Sequence, residues 1–282
     1  MCKTSIYYQT FIDLGSVVEN PDYLDTLIIS SIHFGSTNSG APYIHLNNAP
    51  PGDTQFATVW DTTKRLSNSM EILLMIGGAG GGYNYLFTHY KQCYSLLKDT
   101  LQAYDWISGV DLDIEESVDI ENIKRLMRDI KRDFGDDFKI TMAPIAASLE
   151  EDVVGMGGFV YKDLFESSCG VYIDRFHVQA YGDFTLETVD LIVENGYPSD
   201  KIVLGMVTGQ FDKDTFSVAI QSMHDIERHY PDMGGAFVWE YCNAPPDQDD
   251  PYKWAYLMKS KGIYAFILNT LRSIWSFFYS AA

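Results

Sequence analysis

The sequence is poor in basic residues and has no paired cysteine motif. Only 20 Lys and Arg residues stand against 39 Asp and Glu residues, and the formal net charge is −19. Because a surface this acidic repels nucleic acid and anionic membranes, we expect no nucleic-acid partner. The four cysteines show no Cys-x-x-Cys pair and no spacing typical of a metal site, which favours free thiols in a reducing compartment.

Targeting signals are scarce at the N-terminus. The first residues contain no apolar h-region of a secretory signal peptide, and the chain has no Asn-x-Ser/Thr acceptor site. The second residue is Cys2, so the glycine that N-myristoylation requires is missing. We therefore expect a cytoplasmic protein.

Several catalytic signatures are also missing. There is no HExxH pair for zinc and no GxSxG elbow for a serine nucleophile. The glycine-rich run 77–82 follows a strand-like segment but lacks the Lys-Ser/Thr of a phosphate-binding loop. We interpret this run as a tight turn that brings the backbone close to a ligand. We expect neither a metal ion nor a cofactor.

Short strand-like segments alternate with helical patterns along most of the chain. We predict eight strands, at 6–11, 27–34, 72–77, 109–115, 139–144, 175–181, 201–207 and 235–239. Alternating strands and helices indicate a parallel α/β sheet, and eight such units match a (β/α)8 TIM barrel with its site at the carboxyl strand ends. A doubly wound open sheet is the alternative. The segment 35–55 is predicted to be irregular and to rim the site.

The segment 108–115 concentrates acidic residues near the end of one predicted strand. Asp111, Asp113 and Glu115 recur with period two, so they share one face of an extended strand. Carboxylates this close do not all ionise at neutral pH, because each disfavours charge on the next. A protonated acid beside an ionised partner is what general acid catalysis needs. A solvated strand edge is the alternative interpretation.

Polar and aromatic side chains end two later strands. Gln179 and Tyr181 lie on one face of the sixth predicted strand and offer an amide and a phenol. Trp239 ends the eighth, where its indole could lie beneath a pyranose ring. Each of these could instead be a half-buried barrel residue. His177 shares the face of Gln179 and Tyr181 but lies deeper, so we interpret it as a core histidine with satisfied hydrogen bonds.

These motifs resemble glycoside hydrolase family 18 over nearly the whole chain. The segment 108–115 matches the family signature Asp-Gly-x-Asp-x-Asp-x-Glu except at its first position. Four further segments carry the resemblance: Met75-Ile-Gly-Gly78, Met142-Ala-Pro144, Gln179-Ala-Tyr181 and the run 234–239. Within the family, the likeness is greatest to fungal endo-T-type endo-β-N-acetylglucosaminidases, on the segments 7–10, 45–53 and 239–243.

The resemblance implies a glycosidase that uses the 2-acetamido group of its substrate as the nucleophile. Glu115 would be the general acid and then the base, Asp113 would orient the acetamido group, and Asp111 would support Asp113. Tyr181 would hydrogen-bond the acetamido oxygen. The remaining expected contacts to the sugar come from Gln179, Trp239, Met142, Gly77 and Gly78.

The resemblance also implies the substrate class. We expect retaining hydrolysis of β-1,4-linked N-acetylglucosaminides, and the endo-T-like motifs favour the chitobiose core of N-glycans, on an oligosaccharide or a glycoprotein. Chitin or chito-oligosaccharide cleavage is one alternative, and a lectin-like protein without turnover is another. Met75, Ser108 and Gly182 depart from the family pattern, whereas the catalytic Glu115 and its partner Asp113 are kept.

The end of the chain differs in composition from the rest. We predict one catalytic barrel over residues 1–262 and an apolar helical tail over 263–282. On a helix, the polar residues of the tail form one narrow stripe, and Arg272 near its middle would be costly inside a bilayer. We expect the tail to dock on the barrel of a monomeric protein. Peripheral or tail-anchored membrane association is the alternative.

Overall fold

The computed structural model describes residues 3–260, and strands and helices alternate throughout this part of the chain. The strands are β1 (Thr4–Tyr8), β2 (Thr26–Ser36), β3 (Pro42–Leu46), β4 (Glu71–Gly77), β5 (Gly109–Asp113), β6 (Lys139–Met142), β7 (Arg175–Gln179), β8 (Ile202–Val207) and β9 (Gly235–Trp239). The helices are α1 (Gly15–Glu19), α2 (Ala57–Leu66), α3 (Tyr83–Thr88), α4 (Tyr90–Ala103), α5 (Ile120–Phe134), α6 (Ala147–Glu150), α7 (Tyr161–Phe165), α8 (Leu186–Glu194), α9 (Phe216–His229) and α10 (Tyr252–Lys259).

All the strands except β3 form a closed parallel barrel. Each pairs with its neighbours in the order β1, β2, β4, β5, β6, β7, β8, β9, and β9 pairs with β1 to close the ring. An open doubly wound sheet would leave two edge strands without partners, so that alternative is wrong. The TIM-barrel prediction is confirmed, and the eight predicted strands correspond to the eight barrel strands.

The barrel has two separate apolar layers. Alternate side chains of the strands point outward and pack against the helices, as Leu112 and Met142 do. The other side chains point inward and form a smaller cluster that includes Tyr7, Met75 and Phe237. This alternation is the reason that Asp111 and Asp113 face the barrel interior while Leu112 between them lies in the outer core.

Four barrel strands, β1, β5, β6 and β7, end sooner than the sequence predicts. β5 ends at Asp113, where it pairs with Gly77 as the last residue of β4, and β7 ends at Gln179. Both neighbours of β5 stop at its level, since β4 ends at Gly77 and β6 at Met142, whereas β8 continues to Val207, beyond the Gly205 that pairs with Gln179. Glu115 and Tyr181 therefore stand just above the barrel rim rather than within strands.

The segment 35–55 is more regular than predicted. β2 extends beyond the barrel to Ser36 and forms an antiparallel hairpin with β3, in which His33 lies opposite His45. Ile44 and Leu46 of β3 are buried in the outer core, and this period-two pattern is the signal of the strand. The prediction that 35–55 is irregular was therefore wrong over 42–46, where the chain pairs with the extended end of β2.

The expected tail (263–282) lies outside the described residues, as does the predicted domain boundary at 262. Among residues 3–260, no helix is both long and apolar enough to cross a membrane.

Candidate active site

A pocket opens at the carboxyl ends of the barrel strands. Its volume is about 270 Å³. Seven barrel strands and the loops that follow them contribute to its lining, which consists of Tyr7, Gln9, Ser31, His33, Met75, Gly77, Gly78, Ala79, Gly80, Asp113, Glu115, Ala143, Gln179, Tyr181 and Trp239. Of the residues expected at the site, the pocket brings together Asp113, Glu115, Gln179, Tyr181, Trp239 and the two glycines.

Asp113 and Glu115 form the acidic centre of the pocket. Asp113 is only 5% exposed, and its Oδ1 accepts a hydrogen bond of 3.2 Å from Gln179 Nε2. The Asp113 and Glu115 side chains also interact with each other through a hydrogen bond. Gln179 Nε2 is held in turn by the carbonyl oxygen of Ala143 at 2.8 Å.

The electrostatics of this pair favour protonation of its carboxyl groups. Burial raises the pKa of Asp113 well above its usual value, and the negative charges of Glu115 and Asp111 add to the effect. Burial also raises the pKa of Glu115, although its hydrogen bond with Asp113 works in the opposite direction. Both shifts favour the protonated form of a carboxyl group in this pair, which is the form that can donate a proton.

Asp111 lies below this pair in the closed interior of the barrel. Its Oδ2 accepts from Tyr7 Oη at 2.8 Å, and its Oδ1 accepts from Thr141 Oγ1 at 2.5 Å. His177 Nδ1 is 2.9 Å from the same Oδ1. Both oxygens of the fully buried Asp111 are therefore occupied by partners from β1, β6 and β7. Asp111 acts on Asp113 through its charge and not through a hydrogen bond among the described residues.

His177 differs from the satisfied core histidine that we expected. Its side chain is fully buried in the barrel interior and is bonded to Asp111 through Nδ1. Within residues 3–260, Nε2 has no hydrogen-bonding partner, and the ring packs against the edges of Tyr7 and Phe237. His177 is therefore part of the polar network beneath the pocket.

Tyr181 and Trp239 supply the aromatic part of the pocket. Tyr181 is 36% exposed, and burial together with the negative charge of Asp113 raises its pKa, so the phenol stays protonated and can donate a hydrogen bond. The Trp239 ring lies 5.2 Å from the Tyr7 ring, centroid to centroid, at an angle of 59°. An indole held in this way offers a flat apolar surface at the pocket floor.

The glycine-rich turn after β4 forms a wall of the pocket. At Gly77 the backbone φ is +91°, and a Cβ there would stand 2.3 Å from the Asp113 carbonyl oxygen. Gly78 donates its backbone N–H to that oxygen at 2.9 Å. The turn is thus held directly on the chain segment that carries Asp113, and only glycine permits this approach.

Glu116, next to the expected acid, anchors the other end of the turn. Its carboxylate accepts from the backbone N–H groups of Tyr83, at 2.7 Å, and Asn84, at 3.3 Å. His33 Nδ1 lies 2.9 Å from the carbonyl oxygen of Gly81. Glu116 was not predicted as part of the site, although its position directly after the acidic segment 108–115 indicates a place near the pocket.

Met142 is not brought to the pocket. Its side chain is fully buried and belongs to the outer core between the sheet and the helices. The neighbouring residue Thr141 faces the barrel interior and reaches Asp111, so strand alternation turns Met142 away. The expected contact between Met142 and the substrate is corrected accordingly.

The departures from the family pattern lie in different places. Ser108 is at the amino end of β5 and exchanges hydrogen bonds with the backbone of Ile72, far from the pocket. Gly182 has a φ of +101°, which favours glycine over other residues. Met75 lines the pocket. It offers no hydrogen bond to Asp111, whose partners are Tyr7, Thr141 and His177.

Tyr7, Thr141 and Ala143 were not predicted as parts of the site. Tyr7 and Thr141 donate to Asp111 across sequence separations of 104 and 30 residues, which no local pattern reveals. In the part of the chain that the structure describes, no group of three or more His, Cys, Asp or Glu side chains is placed to hold a metal ion.

Comparison with known proteins agrees with this geometry. The family model for glycosyl hydrolases family 18 matches residues 3–277. A fungal endo-β-N-acetylglucosaminidase of that family is 29% identical, with a TM-score of 0.80 and with 92% of this chain and 97% of that chain covered. A chitinase from Aspergillus fumigatus is 26% identical, with a TM-score of 0.78 over 92% of this chain and 98% of that chain.

A family 18 chitinase from Pseudoalteromonas aurantia shares the fold at 19% identity, with a TM-score of 0.71 over 92% of this chain and 99% of that chain. A search of curated proteins gave no match. Because the family model covers nearly all of the chain, this protein belongs to glycosyl hydrolase family 18, as a glycoside hydrolase similar to chitinases and endo-β-N-acetylglucosaminidases.

Proposed function

We propose that the protein hydrolyses β-1,4-linked N-acetylglucosaminides with retention of configuration, using the 2-acetamido group of the substrate as nucleophile. The observation that carries this proposal is that Asp113 and Glu115, two neighbouring carboxyl groups with raised pKa values, line one pocket together with Gln179 and Tyr181. We further propose that the preferred bond is the one within the chitobiose core of N-glycans.

The arrangement of the carboxyl groups argues against an enzyme carboxylate as nucleophile. Such a mechanism places two carboxyl groups on opposite faces of the sugar ring. Asp113 and Glu115 come from the same strand end and hydrogen-bond each other, so they cannot flank a ring. The pocket lining contains no third carboxylate among the described residues, which supports a nucleophile supplied by the substrate.

The first step breaks the glycosidic bond. Glu115 donates its proton to the glycosidic oxygen, and the bond between C1 and that oxygen breaks as the acetamido oxygen forms a bond to C1. The product on the enzyme is an oxazolinium ion. Asp113, in its ionised form, accepts a hydrogen bond from the acetamido N–H and stabilises the positive charge.

The second step restores the acid. A water molecule attacks C1, the bond between C1 and the acetamido oxygen breaks, and Glu115 takes the proton of the attacking water. Tyr181 donates a hydrogen bond to the acetamido oxygen, and the apolar face of the sugar lies on Trp239. Two displacements at C1 give net retention.

The choice of the N-glycan core rests on likeness. The fungal endo-β-N-acetylglucosaminidase and the Aspergillus fumigatus chitinase have similar identity to this chain and similar coverage of it. The N-glycan core and chitin both present a bond that suits the proposed mechanism. The segments 7–10, 45–53 and 239–243 favour the former, and the structure brings Gln9 and Trp239 from these segments to the pocket.

A paired assay tests the choice. The same purified protein is offered a high-mannose glycopeptide and a chitin oligosaccharide, and products are identified by mass. We expect release of the glycan with one N-acetylglucosamine left on the peptide. Cleavage of the chitin oligosaccharide alone would overturn the proposed substrate, and saturable binding without product would favour the lectin-like alternative.

A further inference from the structure

The seam at which the barrel closes loses its backbone hydrogen bonds just below the pocket. The parallel register of β1 and β9 ends where Ile6 lies opposite Val238. Gln9 and Trp239 line the pocket, and both lie beyond this last pair. Contacts other than the strand ladder therefore have to hold these two residues in place across the seam.

The side chain of Glu240, the residue directly after β9, bridges this seam. Its Oε2 accepts hydrogen bonds from the backbone N–H groups of Gln9, at 3.0 Å, and Thr10, at 2.8 Å. Its Oε1 accepts from the Thr10 hydroxyl at 2.7 Å and from the Cys242 thiol at 3.3 Å. One carboxylate thus joins the end of β9 to the two residues that follow β1.

The backbone of Gln9 is also held from its other side. Its carbonyl oxygen accepts from Asn47 Nδ2 at 3.2 Å, and Asn47 Oδ1 accepts from the backbone N–H of Ser31 at 3.1 Å. Gln9 is therefore fixed by Glu240 at its nitrogen and by Asn47 at its oxygen. These two contacts set the direction in which the Gln9 side chain leaves the backbone towards the pocket.

The same carboxylate holds the chain next to the pocket floor. Glu240 directly follows Trp239, whose carbonyl oxygen accepts from the backbone N–H of Thr208 at 2.7 Å. The Trp239 ring packs against the ring of Tyr7, which lies two residues before Gln9. A displacement of Glu240 would therefore move an amide and an indole that line the pocket from adjacent strands.

We propose that Glu240 is a positioning residue for the reaction, which locks the ends of β1 and β9 together and so sets Gln9 and Trp239 against the bound sugar. This inference rests on the proposed function, because it takes an N-acetylglucosamine saccharide as the ligand. Glu240 does not line the pocket itself, so its effect passes through these two neighbours. Because its four donors are neutral groups, the position requires acceptor oxygens at the right reach rather than negative charge.

Binding of the N-acetylglucosamine trisaccharide tests the proposal. Affinities are measured by calorimetry in a Glu115→Gln background, so that no ligand is consumed. We expect Glu240→Ala to weaken binding about tenfold, because the end of β1 is no longer held in the arrangement that the sugar requires. Glu240→Gln still offers an oxygen to both backbone N–H groups and should lose less than about threefold. Glu240→Asp keeps the charge but is too short to reach them, so it should resemble Glu240→Ala.

A double-mutant cycle separates positioning from a general loss of structure. In a Gln9→Ala background one of the two positioned groups is gone, so Glu240→Ala should weaken binding by about threefold instead of tenfold. Asp212→Ala is the matched control, because the Asp212 carboxylate also accepts from two backbone N–H groups and a threonine hydroxyl but lies outside the pocket. It should leave the affinity unchanged. Thermal unfolding of every variant shows whether the fold is retained.

The pattern of affinities decides the role of Glu240. Unchanged affinity of Glu240→Ala would overturn the proposal, as would equal losses in the two backgrounds or tighter binding by Glu240→Asp than by Glu240→Gln. Hydrolysis of the trisaccharide by the unmutated protein is followed separately. Binding without turnover counts against the proposed function alone, whereas the absence of both binding and turnover would overturn both proposals.

Discussion

At the scale of single residues, Asp113 sits where its charge is disfavoured. It is almost fully buried, close to two other carboxylates, and its pKa is raised by burial first and by those charges second. A carboxyl group whose pKa is higher in the folded than in the unfolded chain stabilises the fold only while it is protonated. Asp113 therefore lowers the stability of the fold at neutral pH, although the site needs it for the proposed chemistry.

Asp113→Asn should consequently raise the free energy of unfolding at pH 7, on the order of 1 kcal/mol. The difference from the wild type should shrink as the pH falls towards the ordinary pKa of an aspartate, because the carboxyl group of the unfolded wild-type chain is then protonated too. Denaturant unfolding of both proteins at pH 7 and at pH 4 measures this difference in the free energy of unfolding. Hydrolysis should fall at least a hundredfold, because the amide cannot carry the stabilising charge.

Asp133 on α5 provides the control of opposite sign. Hydrogen bonds from Arg132 lower the pKa of Asp133 to about 2. The ionised Asp133 therefore stabilises the fold above about pH 4, and this stabilisation is lost as the pH falls from there through the folded pKa of about 2. Asp133→Asn should therefore lower stability at pH 7. If both variants shifted stability in the same direction at both pH values, the account of Asp113 would be wrong.

Glu115→Gln should lower hydrolysis by about 10²- to 10⁴-fold, because the amide cannot donate the required proton. Sugar binding should be retained, since the side chain keeps its size and its place at the rim. Turnover and calorimetric affinity are compared on one substrate. Near wild-type turnover would remove Glu115 from the role of general acid.

The pattern Asp111, Asp113, Glu115 was readable from the sequence because strand alternation is a local rule. The partners of Asp111 were not, since Tyr7 and His177 are distant in sequence and reach it only after the barrel closes. Met142 shows the limit of motif likeness, because a residue inside a matching motif can still face the outer core.

At the scale of elements, the glycine-rich turn and α3 depend on Glu116. This carboxylate satisfies backbone N–H groups at the start of α3 that no helical carbonyl can reach. The helix has only six residues and contributes little stability of its own. The position of Gly78 and Gly80 in the pocket wall therefore rests on this cap.

Glu116→Ala should loosen the turn and raise KM severalfold, with a smaller change in kcat, because the turn lines the pocket but does not transfer protons. Stability should drop by about 1 kcal/mol, as for other lost caps. Glu116→Gln keeps one acceptor oxygen, so its KM and its stability should lie between those of the wild type and those of Glu116→Ala. A loss in kcat alone, with KM unchanged, would contradict a positioning role.

Strand and helix alternation predicted the barrel strands well, but their ends less so. Glu115 leaves the sheet because β4 and β6 stop at the end of β5, which is a property of pairing and not of the residue itself. Residues 83–103 form two helices, α3 and α4, interrupted at His89. Local periodicity cannot show such a break when apolar spacing continues across it.

At the scale of the whole molecule, closure of the barrel converts separate motifs into one site. Residues from β1, β5, β6 and β7 meet around Asp111 only because the last strand pairs with the first. Eight β/α units in a chain of this length were enough to predict this architecture. The family prediction and the assignment as a glycoside hydrolase are confirmed by the match over residues 3–277.

The predicted tail gives a test at this scale. We expect the full chain and a chain that ends at residue 260 to remain equally soluble, because Arg272 near the middle of the tail opposes insertion into a bilayer. Both are expressed in the same cells and fractionated by centrifugation. Pelleting of the full chain with membranes, and not of the shorter one, would favour an anchor.

The most direct test of the account is the stereochemistry of the first product. Proton NMR is recorded within the first minutes of hydrolysis of a β-linked N-acetylglucosaminide by the wild-type protein, before the released sugar mutarotates. Substrate-assisted catalysis by Asp113 and Glu115 predicts that the β-anomer appears first and the α-anomer only later. Initial formation of the α-anomer would mean single-step inversion and would contradict the mechanism.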